Sequence, residues 1–181
     1  YQNRYGVTLQ DDEILSLAGS QEGFAHVALT LCDPGDVVLV PNPGYPVFEA
    51  GPFLNDAKIA YYELDKTNHY APALDKIPEE LAKKAKMMVV SYPLNPTCTC
   101  IEKADYEKII AFAKKYNIAI IHDNAYSEIE YDGRTGFSFL SVPGAKEVGI
   151  EFNSLSKTYN LTGIRISFAS VSYTHLTLPT T

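Results

Sequence analysis

The sequence has few cysteines, no long hydrophobic run and fewer basic than acidic residues. Its three cysteines, Cys32, Cys98 and Cys100, are odd in number and lack disulfide or zinc spacing, which predicts reduced thiols in a cytoplasmic protein. No apolar stretch approaches the ~20 residues that cross a bilayer, and no basic-then-apolar leader points to secretion. With 15 Lys and Arg against 22 Asp and Glu, the net charge is −7, which argues against nucleic acid as a partner.

The histidines also lack the spacing of metal ligands, so we predict no metal site. They are His26, His69, His122 and His175. Because His122 directly precedes Asp123 in an apolar run, we expect its side chain to pack on the opposite face of a strand.

Short continuous apolar runs recur along the chain and predict strands that are buried on both faces of a parallel sheet. The clearest runs are residues 37–40, 59–62, 87–90 and 118–121. With 181 residues, of which 46% are hydrophobic, the chain can form one sizeable core, and no repeat or linker divides it.

Helical patterns alternate with these runs. Residues 106–113 carry an apolar stripe at helical spacing with charged residues outside it, and residues 20–31 predict a second helix with Ser20 as its N-cap. The stripe consists of Tyr106, Ile109, Ile110 and Ala113. The alternation predicts an α/β fold with a doubly wound, mostly parallel sheet and helices on both faces.

The two ends of the sequence differ in character from the rest. Residues 1–6 are typical of the last turn of a helix that stops at Gly6, and residues 165–169 alternate like a strand. Residues 171–181 are rich in Thr and lead to no further element. We interpret residues 1–170 as an incomplete domain of a longer protein and residues 171–181 as a non-native or frame-shifted tail.

Polar and aromatic side chains follow the predicted strands, where ligands collect in sheets of this kind. Asp123 closes an apolar strand and either caps the next helix or meets a cation, because burying a lone carboxylate is costly. Asn95 either forms an Asn-Pro turn or offers an amide donor to a ligand. Tyr45 either packs within its Pro-Gly loop or stacks on a ligand ring.

The segment 154–157 ends in Lys157, and Arg165 follows eight residues later. A lysine that loses its proton through burial or a neighbouring cation attacks carbonyls and forms Schiff bases. Arginine binds phosphate through paired hydrogen bonds, and the helix start at Ser20 and Gln21 offers free N–H groups to phosphate. Together these features indicate a phosphorylated aldehyde, for which pyridoxal 5'-phosphate is the obvious candidate.

The order of these features resembles the class I and II aminotransferases, which are fold-type I pyridoxal-phosphate enzymes. The separations from Asn95 to Asp123 and from Lys157 to Arg165 match those of the family. The resemblance covers residues 5–169. The sequence around Lys157 is most similar to that of LL-diaminopimelate and alanine-type aminotransferases. The matching segments are 19–23, 34–36, 43–46, 95–97, 123–126, 154–157 and 162–165.

The resemblance implies transfer of an amino group from an amino acid to a 2-oxo acid through a Lys157 Schiff base. It implies that Asp123 pairs with the cofactor pyridinium and that Tyr45 stacks on the ring. It also implies that Tyr126 and Asn95 donate hydrogen bonds to the ring hydroxyl. The residues implied to hold the phosphate are Ser20, Gln21, Ser154, Ser156 and Arg165. The resemblance identifies residues 1–170 as part of the cofactor-binding large domain, and we expect a homodimer that needs neither membrane nor nucleic acid.

Two other activities stay open on the residues alone, and so does the alternative that the 181 residues by themselves are inactive and do not hold the cofactor. A C–S β-lyase of the same fold would use the same lysine to expel a thiol, and a transcription regulator would use the domain to sense a ligand. The chain also departs from the family pattern, because Cys98 stands where Gly usually follows Asn-Pro-Thr. Since Cys takes positive φ less freely than Gly, we expect this loop to differ locally. The family's small domain, with its carboxylate-binding arginine, is not found in the sequence, and neither is the tyrosine that reaches the partner subunit's phosphate.

Overall fold

The apolar runs 37–40, 87–90 and 118–121 form inner strands of a seven-stranded sheet in the computed structural model, which describes residues 1–171. The run 59–62 forms an edge strand, so the prediction that it is buried on both faces is wrong. The strands are Ile14–Leu17 (β1), Val37–Asn42 (β2), Lys58–Glu63 (β3), Ala85–Ser91 (β4), Ala119–Asp123 (β5), Gly149–Ser154 (β6) and Ser167–Val171 (β7). Their order in the sheet is β1-β7-β6-β5-β4-β2-β3. Strands β2 to β6 pair in parallel, whereas β7 pairs antiparallel with both β6 and β1. The predicted mostly parallel α/β sheet is therefore confirmed.

Helices connect the strands and cover both faces of the sheet. They are Gln2–Tyr5 (α1), Ser20–Leu31 (α2), Val47–Leu54 (α3), Glu79–Ala82 (α4), Lys103–Tyr116 (α5) and Leu155–Thr158 (α6). Helix α1 ends at Gly6 with a left-handed φ of 69°, as its sequence predicts. Within residues 1–171, no helix is both long and apolar enough to cross a membrane.

The central strands supply apolar side chains to two cores, one on each face of the sheet. Successive side chains of a strand point to opposite faces, so a strand of continuous apolar residues feeds both cores. One core packs beneath α5 and contains Met88, Ile109 and Ile120. The other packs beneath α2 and α3 and contains Phe24 and Ile121, among others.

Helix α5 follows the predicted stripe. Its four stripe residues are buried, and the helix extends beyond them in both directions, from Lys103 to Tyr116. Glu102 and Asp105 form a capping box at the start, and Asn117 ends the helix in the left-handed conformation with φ 55°. Reciprocal hydrogen bonds of this kind satisfy backbone N–H groups that the first helical turn leaves free.

Strand register places the two neighbours His122 and Asp123 on opposite faces. His122 is paired with Glu151 of β6, while Asp123 lies opposite Ser91 of β4. Asp123 faces the α2 side, where it lines a cavity with Gln21, whereas His122 contacts the α5 side. The expected packing of His122 on the opposite face is confirmed.

Three details of the sequence interpretation are wrong. Gly19, with φ 94° and ψ 146°, is the N-cap of α2, and Ser20 is already its first helical residue. Strand β1 was not expected, because Ile14 and Leu15 lie exposed at the sheet edge and give no buried pattern. The last strand begins at Ser167 instead of residue 165. The proposed tail starts at the last residue of β7, and its other residues, 172–181, lie outside the described part of the chain.

Candidate active site

A cavity of about 350 Å³ lies where the parallel strands β4, β5 and β6 end and where helices α2 and α6 begin. Polar side chains from several segments of the chain line it. The structure brings all ten predicted site residues into this one cavity. They are Ser20, Gln21, Tyr45, Asn95, Asp123, Tyr126, Ser154, Ser156, Lys157 and Arg165.

Asp123 is the buried acid of this cavity, with 7% of its surface exposed. Its Oδ2 accepts a long hydrogen bond of 3.5 Å from the Ser91 hydroxyl, while Oδ1 has no hydrogen-bond partner within residues 1–171. Burial raises the pKa of Asp123 to about 6, against the opposing effects of His122, the Ala125 N–H and Ser91. A buried oxygen without a hydrogen-bond partner costs free energy, so Oδ1 of this carboxylate is suited to accept a hydrogen bond from a ligand.

Lys157 lies in the short helix α6, directly after the end of β6. Ser154 caps this helix by accepting a hydrogen bond of 3.2 Å from the Ser156 N–H. The Lys157 ammonium lies 5.9 Å from the centroid of the Tyr126 ring, and within residues 1–171 no carboxylate forms an ion pair with it. Lys157 lines the cavity, so its amine is available to a ligand there.

Tyr126 and Asn95 form the wall beside Lys157. Burial raises the pKa of Tyr126, the charge of Asp123 adds to this effect, and the Asn95 side chain opposes it through a hydrogen bond. The Tyr126 hydroxyl consequently keeps its proton and can donate it in a hydrogen bond to a ligand oxygen.

The loop that carries Asn95 retains a glycine-like backbone despite Cys98. Cys98 adopts a left-handed φ of 57°, and its N–H donates to the Leu94 carbonyl at 2.7 Å. A second bond of 2.9 Å joins the Leu94 N–H to the Thr99 carbonyl. The turn therefore holds Cys98 in the left-handed conformation although it is not glycine, and the expected local difference from the family stays a prediction.

The other end of the cavity combines the first turn of α2 with Arg165. Gly19 approaches Arg165 so closely that an added Cβ would lie 2.0 Å from Nη2. Arg165 itself has a left-handed φ of 58°, and its Nη1 donates to the Thr162 carbonyl at 3.2 Å. Helix α2 has 12 residues, so its free N–H groups and its dipole favour an anion next to this guanidinium.

Tyr45 is fixed over the cavity by the first turn of α2. The Gln21 side-chain amide donates to the Tyr45 hydroxyl at 2.8 Å. The ring of Tyr45 also packs edge-on against Phe48, with a centroid distance of 6.0 Å. Gln21 therefore orients an aromatic ring in addition to lining the cavity.

Sequence reasoning missed four side chains that complete the lining: Phe24, Val47, Ala125 and Thr162. Phe24 lies one helical turn after Ser20, so helical spacing was a usable signal for it. Ser91 was also missed as a partner of Asp123, because their proximity depends on the pairing of β4 with β5.

Curated proteins with similar sequences are LL-diaminopimelate aminotransferases. The chain is 47% identical over 170 residues to that of Moorella thermoacetica and 46% identical to that of Aquifex aeolicus. Each match covers 93% of this chain and 44% of the relative. The chain thus spans less than half the length of these relatives, and their names do not favour the lyase or regulator alternatives.

Several solved structures of similar fold superimpose closely on this chain. Substrate-bound BacF from Bacillus subtilis matches with a TM-score of 0.94 and 40% identity, covering 97% of this chain and 45% of that one. A probable N-succinyldiaminopimelate aminotransferase from Thermus thermophilus matches with a TM-score of 0.91 and 37% identity, covering 97% and 47%. The family model for aminotransferase class I and II matches residues 1–176. With this match over nearly its whole length, the chain belongs to the class I and II aminotransferase family.

Proposed function

We propose that the complete protein is a pyridoxal-phosphate-dependent aminotransferase and that Lys157 binds the cofactor covalently. One observation carries the proposal: three groups of matching chemistry line a single cavity. They are the Lys157 amine, the buried Asp123 carboxylate and the Arg165 guanidinium beside the start of α2. Their arrangement suits a ligand with an aldehyde, a basic ring nitrogen and a phosphate.

The residues fit this cofactor on two structural points. The Asp123 oxygen that lacks a hydrogen bond within residues 1–171 can accept one from a protonated ring nitrogen. The close approach of Gly19 to Arg165 places the N–H groups of α2 and the guanidinium within reach of one phosphate. Ser154 and Ser156 line the same cavity and can add hydroxyl donors.

Pyridoxal phosphate, when bound, supplies an aldehyde that condenses with amines and a ring that accepts electrons. Asp123 as a carboxylate would hold the proton on the ring nitrogen. Asn95 and Tyr126 would donate hydrogen bonds to the ring hydroxyl, and Tyr45 would pack against the ring. Nζ of Lys157, once the substrate amine has released it from the cofactor, would take the proton from the substrate α-carbon as a base and give it as an acid to the carbon that the cofactor aldehyde contributes.

We propose amino acids and 2-oxo acids as substrates, with LL-diaminopimelate as the first amino donor to test. The names of the curated relatives support this choice. A second cavity of about 510 Å³ adjoins the first and shares Asn95 and Tyr126 with it. Its wall contains Glu130 and Arg134, so it offers both charges to a substrate whose far end carries an amine and a carboxylate.

The larger context of the chain is also a proposal. We propose that residues 1–170 are part of the cofactor-binding domain, that residues 171–181 are non-native, and that the complete protein is a cytoplasmic homodimer. Membership of the aminotransferase family supports the larger domain and the dimer. The complete reading frame tests the boundary at residue 170, and sedimentation of the complete protein tests the dimer.

Cofactor binding tests the proposal directly. The chain is mixed with pyridoxal phosphate, and we expect a visible absorption band that borohydride removes. A Lys157→Ala variant should lose this band, whereas Lys84→Ala, which removes an exposed lysine outside the cavity, should keep it. A band of equal strength in the Lys157→Ala variant would contradict the assignment. For the complete protein, conversion of LL-diaminopimelate in the presence of a 2-oxo acid tests the transfer itself.

A further inference from the structure

A network of buried polar side chains lies on the face of the sheet opposite to the candidate active site. His122 and Glu151 are register partners on β5 and β6, and both side chains are 0% exposed. Nδ1 of His122 lies 3.0 Å from a Glu151 carboxylate oxygen, and its Nε2 lies 3.1 Å from the Tyr106 hydroxyl. The function proposed above assigns no role to these groups.

Glu151 is held as an anion by convergent donors. One oxygen accepts from the Tyr1 hydroxyl at 2.6 Å and the Ser138 hydroxyl at 2.8 Å, and the other accepts from the Phe139 N–H at 2.7 Å. The fourth donor is His122. Although burial raises the pKa of Glu151, His122, Tyr1 and Ser138 lower it by more, so the net shift is downward.

A buried anion needs an adjacent cation. Within residues 1–171, His122 is the only basic side chain that contacts Glu151. Because Glu151 has no proton to give, Nδ1 of His122 must donate to it, whereas either atom can be the donor in the contact between Nε2 and the Tyr106 hydroxyl. The His122 ring stacks on Phe139 with a centroid distance of 5.5 Å.

We propose that His122, paired with Glu151, is a positioning residue that keeps the adjacent Asp123 ionised and fixes the end of β5 against β6. This inference rests on the cofactor site proposed above for its meaning in catalysis. The two strands deliver the two essential groups of that site, since β5 ends in Asp123 and β6 leads directly into the helix of Lys157. A bond across these strands holds carboxylate and amine at a constant separation.

The surroundings of Asp123 show why a cation behind it matters. On the cavity side it shares the lining with Tyr126, Lys157 and Arg165, and from β4 the Ser91 hydroxyl donates to it. Burial opposes its ionisation, and His122 is the strongest of the groups that oppose this effect; the more distant Glu151 acts weakly in the other direction. His122 precedes Asp123 on β5 and points to the far face of the sheet, so within the pair it is the group that acts on Asp123 in favour of ionisation.

Carbon-13 NMR of aspartate carboxyls in the full chain, without cofactor, tests the proposal. The Asp123 resonance is assigned by its loss in Asp123→Asn, and its titration is followed with pH. We expect His122→Phe, which keeps an aromatic ring, to raise the pKa of Asp123 by about one pH unit or more. Ser138→Ala is the matched control, because it removes one donor to Glu151 but leaves His122 in place. We expect it to leave the Asp123 titration unchanged.

A double variant keeps the test decisive if His122→Phe alone does not fold. His122→Phe combined with Glu151→Gln leaves no lone buried charge, and we expect an upward shift smaller than that of the single variant. An unchanged Asp123 titration in either His122 variant, or an equal shift in Ser138→Ala, would overturn the proposal. Failure of the unmutated chain to bind pyridoxal phosphate would overturn the cofactor assignment instead, since the Asp123 titration is measured without cofactor.

Discussion

The substitution Gly19→Ala tests whether a phosphate binds at the end of the cavity formed by the start of α2 and Arg165. In Gly19→Ala the new Cβ would lie 2.0 Å from Nη2 of Arg165 and 2.7 Å from its Cζ, so the guanidinium must move away. Because the arginine is the flexible partner, the displacement itself costs little. Its consequence is that the guanidinium no longer meets an anion bound at the start of α2.

Two separate magnitudes follow from this geometry. Gly19 has φ 94° and ψ 146°, a region that side chains disfavour, so we expect Gly19→Ala to lower the free energy of unfolding by about 1–3 kcal/mol. Hydrogen bonds to charged groups contribute about 1.5–3 kcal/mol each, so losing one from Arg165 should weaken pyridoxal phosphate binding roughly 10- to 150-fold. Urea unfolding measures the first effect and absorbance titration the second.

Two controls separate the phosphate contact from backbone strain. Gly35→Ala places a side chain at a φ of 88° with no atom within 4 Å of the new Cβ, so it should cost stability but leave binding unchanged. Pyridoxal, which lacks the phosphate, should bind equally to the parent chain and to Gly19→Ala. If Gly19→Ala bound pyridoxal phosphate as tightly as the parent, Arg165 would not be a phosphate ligand and the reasoning would be refuted.

Three further predictions concern the buried groups. Since burial raises the folded pKa of Asp123 from 3.8 to about 6, its contribution is intact at low pH and is lost as pH rises from about 4 through 6. Asp123→Asn should therefore be more stable than the parent chain by up to about 3 kcal/mol at pH 7 without cofactor, and no gain in unfolding experiments across this range would contradict it. Glu151 has a lowered folded pKa, so its contribution is present above the unfolded pKa and is lost as pH falls through the folded value. Glu151→Gln should lower stability at pH 7 by about 3–5 kcal/mol, with a smaller difference in acid; equal loss at all pH values would argue against the ion pair. Gly51→Ala would place Cβ 2.4 Å from the Phe24 carbonyl oxygen, so α2 and α3 must separate, and urea unfolding should show a loss of about 1–3 kcal/mol.

The parts of the fold that sequence predicted are those with periodic burial. Strands β2, β4 and β5 are buried on both faces and therefore appear as continuous apolar runs, and α5 buries one regular stripe. Strand β1 was not predicted, because its side chains lie at the edge of the sheet and show no burial pattern. Its pairing with β7 depends on residues 150 or more positions apart, which local patterns do not report.

The candidate site was predictable because its residues stand at strand and helix ends in a fixed order. What local sequence did not reveal are contacts that need three-dimensional register. Gly19 looked like an ordinary residue before a helix, yet its approach to Arg165 requires the absence of a side chain. His122 and Glu151 lie 29 residues apart and meet only because β5 pairs with β6 in parallel.

Mapping the reduced cofactor adduct tests the central claim most directly. The chain is treated with pyridoxal phosphate and borohydride under native conditions, digested, and its peptides are analysed by mass spectrometry. We expect one pyridoxyl phosphate group, on the peptide that carries Lys157, with the other lysines largely unlabelled. A label spread evenly over exposed lysines, or concentrated on a lysine outside the cavity, would contradict the assignment of Lys157 as the cofactor-binding amine.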